Sequence, residues 1–89
     1  MIVSLASDDV RTIVFRTLLE FDVSEDALAD LDERIMLDAG RYMARSYRVE
    51  GYLAMWLIEV GLLQFYDGEG NMLRTVNLLE ELAPLRLAA

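Results

Sequence analysis

The stretch from Val49 to Leu78 constrains the fold of this chain more than any other part of the sequence. It reads VEGYLAMWLIEVGLLQFYDGEGNMLRTVNL, in which an apolar-faced segment ends at Gly61 and two short apolar runs flank a turn at 67–71. Alternating apolar residues on both sides of a turn with two glycines and an asparagine predict a β-hairpin. The stretch therefore predicts a helix followed directly by a hairpin, with strands at 62–66 and 72–78.

Two helices are predicted upstream of this stretch. Ser7 and Ser24 are suitable N-caps, and each is followed by two acidic residues that interact favourably with the helix dipole. Apolar residues recur at helical spacing after both caps. We expect helix 1 over about 8–20, and helix 2 from Ser24 to a stop at Gly40.

The segment 41–60 is predicted to be a third helix. At about 100° per residue, one largely apolar face of this helix is formed by Tyr42, Ser46, Val49, Leu53, Trp56, Leu57 and Val60. Gly51 weakens such a helix by roughly 1 kcal/mol relative to alanine. A break near Ser46–Tyr47, which gives two shorter helices, is the alternative. A last helical turn is expected near 80–82, before Pro84.

This order of elements resembles the winged helix-turn-helix superfamily. The matching residues are Leu53, Trp56, Leu57, Ile58, Glu59, Gly61, Leu62 and Leu63, then Asp67–Asn71, then Arg74, Val76 and Leu78. Size and layout are also similar to the small winged-helix proteins of Mu-like phages. The resemblance implies an α+β, helix-dominated fold: three helices, a β-hairpin wing and a short C-terminal segment, with residues 1–89 forming a single winged-helix domain.

The charges are unevenly distributed along the chain. The formal net charge is -8, yet residues 41–48 contain three arginines and no acidic residue. In the superfamily the third helix enters the DNA major groove, so the resemblance implies a nucleic-acid or partner-binding site on that helix, with one residue near the wing. The residues assigned to this site are Arg41, Arg45, Arg48, Tyr47, Tyr52 and Arg74. Alternatively, the arginines pair with acidic residues of helix 2 such as Asp32 or Asp38.

Two functions follow from this interpretation. The first is a small bacterial or phage regulatory protein that binds DNA through its third helix as a homodimer. The alternative is a winged-helix protein–protein interaction or assembly module that does not bind DNA, with an acidic surface that mimics DNA. Met55 and Ile58 point away from the main apolar face of the third helix, and with Leu62 they form a candidate patch for a second subunit.

Composition excludes several chemistries. The chain has no cysteine and no histidine, which removes thiol and imidazole catalysis, disulfides and the common zinc sites. We therefore expect no enzymatic activity, no cofactor and no metal. No apolar run approaches the ~20 residues that span a bilayer, so we expect no membrane partner and a cytoplasmic location.

Overall fold

One long helix lies on one face of a five-stranded antiparallel sheet. The computed structural model describes residues 7–81, with the backbone alone at residues 7, 38 and 41–43. The elements, in chain order, are α1 (Ser7–Glu20), α2 (Glu25–Leu28), β1 (Asp32–Asp38), β2 (Arg41–Val49), β3 (Tyr52–Leu57), β4 (Leu62–Tyr66) and β5 (Met72–Asn77). Residues 78–81 are helical. The strands follow one another across the sheet in the order β1-β2-β3-β4-β5.

The predictions for helix 1 and for the start of helix 2 are confirmed. α1 spans Ser7–Glu20, and the Ser24 side chain accepts a hydrogen bond of 3.1 Å from the backbone N–H of Ala27. The predicted extent of helix 2 to Gly40 is wrong, because α2 ends at Leu28 and β1 begins at Asp32.

The third predicted helix, 41–60, is wrong in both of its forms, because this segment makes β2 and β3. The loops at 39–40 and 50–51 each connect strands whose end residues pair directly, Asp38 with Arg41 and Val49 with Tyr52. All four loop residues have positive φ, from 47° to 82°. These are the dihedrals of type I′ turns, which match the twist of a hairpin and place glycine at the second position.

The predicted hairpin is confirmed, and it forms the last two strands of the sheet. β4 and β5 pair antiparallel, with Leu63 opposite Val76 and Gln64 opposite Thr75. The predicted turn at 67–71 connects them, and the carboxylate of Asp67 accepts hydrogen bonds of 2.9 Å from the backbone N–H groups of Glu69 and Asn71. The predicted helical turn near 80–82 begins at residue 78, and its end at Pro84 lies outside the described residues.

The predicted fold class is therefore corrected. The described chain is dominated by its sheet, with α1 as the only long helix, and is not a helix-dominated winged helix with three helices. The hairpin that resembled a wing is the last third of a continuous meander, since β4 pairs with β3 as well as with β5. A wing extends from a helical body, whereas β4 lies inside a sheet.

The core lies between α1 and the sheet face that α1 covers, here called the helix side. α1 contributes Val10, Ile13, Val14 and Leu18, each at most 4% exposed. The sheet contributes Tyr47, Val49, Ala54, Trp56, Leu63 and Phe65, followed by Leu78. Each large apolar side chain buried here stabilises the fold by roughly 1.5–3 kcal/mol. This layer therefore supplies most of the stability of the fold.

Candidate protein-interaction surface

The face of the sheet opposite α1, here called the open face, has an apolar centre. Successive residues of a strand point to opposite faces. The open face is therefore formed by the residues that precede and follow the buried helix-side residues in each strand. Its members on the three central strands are Ala44, Ser46 and Arg48 of β2, Leu53, Met55 and Leu57 of β3, and Leu62, Gln64 and Tyr66 of β4. No described helix lies on this face, and the side chains of β3 and β4 there are only half-buried.

β3 shows most directly that the open face is not an ordinary water-facing surface. Its sequence YLAMWL contains no polar alternation. An antiparallel sheet with one solvated face alternates apolar and polar residues, whereas a strand covered on both faces is apolar throughout. The composition of β3 therefore fits a strand with a second covering layer, on the side of Leu53, Met55 and Leu57.

Acidic residues surround this apolar centre without entering it. The strands β2, β3, β4 and β5 contain none of the chain's 16 acidic residues. The connections at the ends of these strands carry Glu50, Glu59, Asp67 and Glu69, and Glu80 follows β5. An apolar centre with a charged rim is the usual anatomy of a protein interface.

The rim has a defined structure around Asp67. Besides the two backbone bonds, the Asp67 carboxylate accepts a hydrogen bond of 3.1 Å from Asn71 Nδ2. The hydrogen bonds from Asn71, followed by those from Glu69 and Gly70, lower the pKa of Asp67 below its ordinary value. A lowered pKa keeps this part of the rim negatively charged at neutral pH.

A shallow groove of about 870 Å³ lies where the open face meets this rim. Its apolar part includes Leu53 and Met55, and it is bordered by the type I′ turn at 50–51 and by the 67–70 turn. Three acidic residues (Asp30, Glu50 and Asp67) and one cation (Arg48) line it. Arg48 is exposed and forms no ion pair with any residue in the described part of the chain. The groove is therefore apolar at its base and net negative.

The six residues assigned to a nucleic-acid site do not share one surface. Arg45 and Arg48 lie three positions apart, which is the same side of a helix but opposite faces of a strand. Arg48 is on the open face, whereas Arg45 and Tyr47 lie on the helix side. The backbone of Arg41 lies at the start of β2, and its side chain is not described.

The other two assigned residues lie at the carboxyl end of α1. Tyr52 stacks on Phe21, with ring centroids 5.7 Å apart. Arg74 is bonded to the Glu20 carboxylate and lies over the Phe21 ring, 5.1 Å from its centroid. These contacts attach β3 and β5 to α1, so the two residues serve the fold.

Arg45 belongs to a polar cluster under α1. Glu33 accepts hydrogen bonds from Arg45 at 2.9 Å and from Arg11 at 2.8 Å. The Arg45 guanidinium lies 5.9 Å from the ring centroid of Trp56. The arginine thus pairs with an acidic residue of the segment predicted as helix 2, as the alternative interpretation expected, and that residue is Glu33.

Tyr47 is fully buried next to this cluster. Its hydroxyl has no hydrogen-bonding partner among the described residues. Burial, and then the negative charge of Glu33, raise the pKa of Tyr47 to about 12. Burial opposes the charged phenolate, so Tyr47 is a core residue with a neutral ring.

The residues of the open face were found only in part from the sequence. Met55 and Leu62, predicted to form an exposed patch with Ile58, do lie together on the open face, whereas Ile58 packs against the core. Leu53 and Leu57 were assigned to the helical core. The signal that identifies them is the uninterrupted apolar sequence of β3.

Comparison with known proteins adds no assignment: no protein-family model, curated protein or solved structure matches this chain. No helix within residues 7–81 is long and apolar enough to cross a membrane. DNA binding stays a prediction, and the helix to which it was assigned is replaced by two strands.

Proposed function

We propose that the chain is a protein-interaction module whose open face binds a basic amphipathic helix of a partner protein. The observation that carries the proposal is β3, which presents Leu53, Met55 and Leu57 on a sheet face that no described helix covers. The apolar centre favours burial against another apolar surface.

The acidic rim defines the chemistry of the partner. Every acidic residue near the open face lies in a turn or at a strand end, and the chain carries a net charge of -8. A partner with lysine or arginine beside its apolar stripe gains complementary contacts at the rim and associates faster through long-range attraction. An acidic partner is repelled by the same rim.

The dimensions of the face fit one helix. The four spacings of about 4.8 Å between five strands give a width of about 19 Å, and six residues of β3 at about 3.3 Å give a length of about 20 Å. A helix of about 14 residues is about 21 Å long and about 10 Å in diameter. Such a helix crosses the apolar strip while its basic side chains reach the turns at both ends.

A peptide titration tests the proposal. The probe is a 14-residue amphipathic helix of leucine and lysine, and the control peptide replaces each lysine with glutamate. We expect saturable amide shift changes in β3 and β4, centred on Met55 and Leu62, that weaken as salt increases. The glutamate peptide is expected to produce none.

A matched pair of variants separates specific docking from general attraction to an acidic protein. Met55→Lys and Thr12→Lys add the same charge, the first on the open face and the second on the exposed side of α1. We expect Met55→Lys to weaken peptide binding by about tenfold or more and Thr12→Lys to change it little. Equal weakening by both variants, or shift changes centred on α1, would overturn the proposal.

A further inference from the structure

The outer edge of β1 carries three consecutive exposed apolar residues. Ile35, Met36 and Leu37 are 48%, 48% and 61% exposed. Among the described strands β1 pairs only with β2, so no strand within residues 7–81 occupies the outer side of β1. Natural edge strands are commonly protected by lysine, proline or inward-pointing charges, and residues 35–37 have none of these.

The edge is also regular and accessible. The irregularity between β1 and β2 skips Met43, since Met36 pairs with Ala44 and Leu37 with Tyr42. The extra residue therefore lies in β2, and β1 keeps an unbroken strand geometry. The last pair between β2 and β3 is Ala44 with Leu57, so the tip of the β1–β2 hairpin extends past the rest of the sheet.

The charges of β1 define what pairs with it. The segment reads Arg34-Ile-Met-Leu-Asp38, which is one positive charge, three apolar residues and one negative charge. In the reverse direction the segment has the negative charge first and the positive charge last, with the three apolar residues again between them. Two such segments that run antiparallel about Met36 place Arg34 of each opposite Asp38 of the other, and Ile35 opposite Leu37.

We propose that two copies of this chain associate by antiparallel pairing of their β1 strands, with Met36 of one copy opposite Met36 of the second. Opposite charges and apolar side chains in directly opposed positions stabilise an antiparallel pair. Arg34 is available for this contact, because its present bond to Asp32 is a 3.0 Å pair whose arginine side chain is 73% exposed.

The α1 helices do not obstruct the resulting dimer. A two-fold axis perpendicular to the sheet places both α1 helices on one side and both open faces on the other. α1 contacts β1 through Arg11 and Glu33, three positions from the axis. The corresponding points of the two copies are therefore about 20 Å apart along the strands. The proposal goes beyond helix binding on the open face and does not depend on it.

The opposite edge of the sheet lacks this complementarity. β5 exposes Met72 and Leu73, but its only charged residue is Arg74. Arg74 is already engaged with Glu20 and Phe21. Two β5 strands therefore bring no opposite charges together.

A charge-exchange experiment tests the proposed register. Sedimentation equilibrium of the full chain is expected to show a monomer–dimer equilibrium. Arg34→Asp and Asp38→Arg alone each place like charges opposite one another and are expected to weaken the dimer by about tenfold or more. The double variant restores opposite charges and is expected to recover most of the affinity.

The absence of cysteine from the sequence allows a second test. Directly opposed residues of an antiparallel pair have Cα atoms about 4.5–5.5 Å apart, within the range of a disulfide. Met36→Cys is therefore expected to form a covalent dimer on mild oxidation. Met72→Cys, at an exposed and regularly paired methionine of the other edge strand, is the control and is expected to stay largely monomeric.

Several outcomes overturn the β1 dimer. They are a monomer at all concentrations up to the millimolar range, a double charge exchange that does not recover association, and equal crosslinking by the two cysteine variants. Met55→Lys separates the two proposals, because it is expected to weaken binding of the lysine peptide by about tenfold or more and to leave the β1 dimer intact. A dimer lost with Met55→Lys but kept with Arg34→Asp would place self-association on the open face. Circular dichroism confirms that each variant is folded.

Discussion

The two faces of the sheet are made by alternate residues of the same strands, yet they are in very different environments. On the helix side, Ala54, Leu63 and Phe65 are at most 1% exposed. On the open face their neighbours Leu53, Met55 and Leu62 are only half-buried. Both sets are apolar, so composition alone does not explain the difference. Apolar residues on the helix side form the core, and those on the open face are the residues proposed to bind a partner.

The same contrast holds for charged residues. Glu33 and Asp32 are adjacent in β1, but Glu33 bridges two arginines under α1, whereas Asp32 holds one exposed arginine. A pair removed from water interacts more strongly than an exposed pair, which is worth about 0–1 kcal/mol. Neighbouring positions therefore allow the contribution of each face to be measured with similar substitutions.

The largest expected effect separates two adjacent leucines of β4. Leu63→Ala removes a fully buried side chain from the core and is expected to lower the free energy of unfolding by about 3–4 kcal/mol. Leu62→Ala removes the same atoms from the open face and is expected to cost less than about 1 kcal/mol. Urea unfolding followed by Trp56 fluorescence measures both. Equal losses would mean that the open face is part of the chain's own core.

The next effect depends on pH and belongs to Tyr47. Its pKa is raised to about 12 in the folded chain, against about 10 in an unfolded one. Because the folded value is the higher one, this stabilisation is fully present below pH 10 and is lost as the pH rises toward 12. We expect the free energy of unfolding to fall by about 2 kcal/mol over this range from Tyr47 alone.

Tyr47→Phe is the test of this assignment. It removes the titration and also a buried hydroxyl without a partner, so at pH 7 the variant is expected to be as stable as the natural chain or about 1 kcal/mol more stable. Denaturant unfolding at pH 7 and at several values up to pH 11.5 gives both numbers. If the free energy of unfolding of Tyr47→Phe falls with rising pH as much as that of the natural chain, the fall is caused by other groups.

A third, smaller effect concerns the bridge under α1. Glu33→Gln keeps the shape of the side chain but leaves Arg11 and Arg45 without their shared negative charge. The Glu33 side chain is 21% exposed, so the cost is expected to be below that of a fully buried pair, at about 1–2 kcal/mol. Thermal unfolding measures it, and added salt is expected to reduce the difference only in part.

The sequence signals that were local to one element predicted the structure correctly. Ser24 caps α2 through a short-range hydrogen bond, and the turn at 67–71 is fixed by Asp67 and its own glycines. Such features depend on a few neighbouring residues and on backbone dihedrals. They were therefore found without knowledge of the rest of the fold.

The segment 41–60 was misassigned because its apolar residues fit two periods. Val49, Leu53 and Trp56 lie on one side of a helix, but Val49 and Trp56 also fit the helix side of two separate strands. The dipeptides Ala39-Gly40 and Glu50-Gly51 decide between them. Gly51 costs about 1 kcal/mol inside a helix, whereas its φ of 82° is favourable in a type I′ turn.

The candidate site followed from this error. A helical interpretation joined Arg45 and Arg48 into one stripe, and a strand separates them onto opposite faces. Which face of a strand is covered depends on where α1 packs, and that is a long-range contact between elements far apart in the sequence. The open face and the β1 edge therefore became identifiable only with the sheet register.

The smallest expected effect completes the comparison of the two faces. Asp32→Asn removes the carboxylate next to Arg34, in a pair whose side chains are 49% and 73% exposed. Exposed pairs of this kind contribute little because water solvates both charges and both side chains lose freedom. We expect a change of less than about 0.5 kcal/mol in thermal unfolding at a concentration where the chain is monomeric. Glu33→Gln, one position away and equal in charge, is the matched control. A loss as large with Asp32→Asn as with Glu33→Gln would show that the open side of β1 is as strongly stabilised as the side under α1.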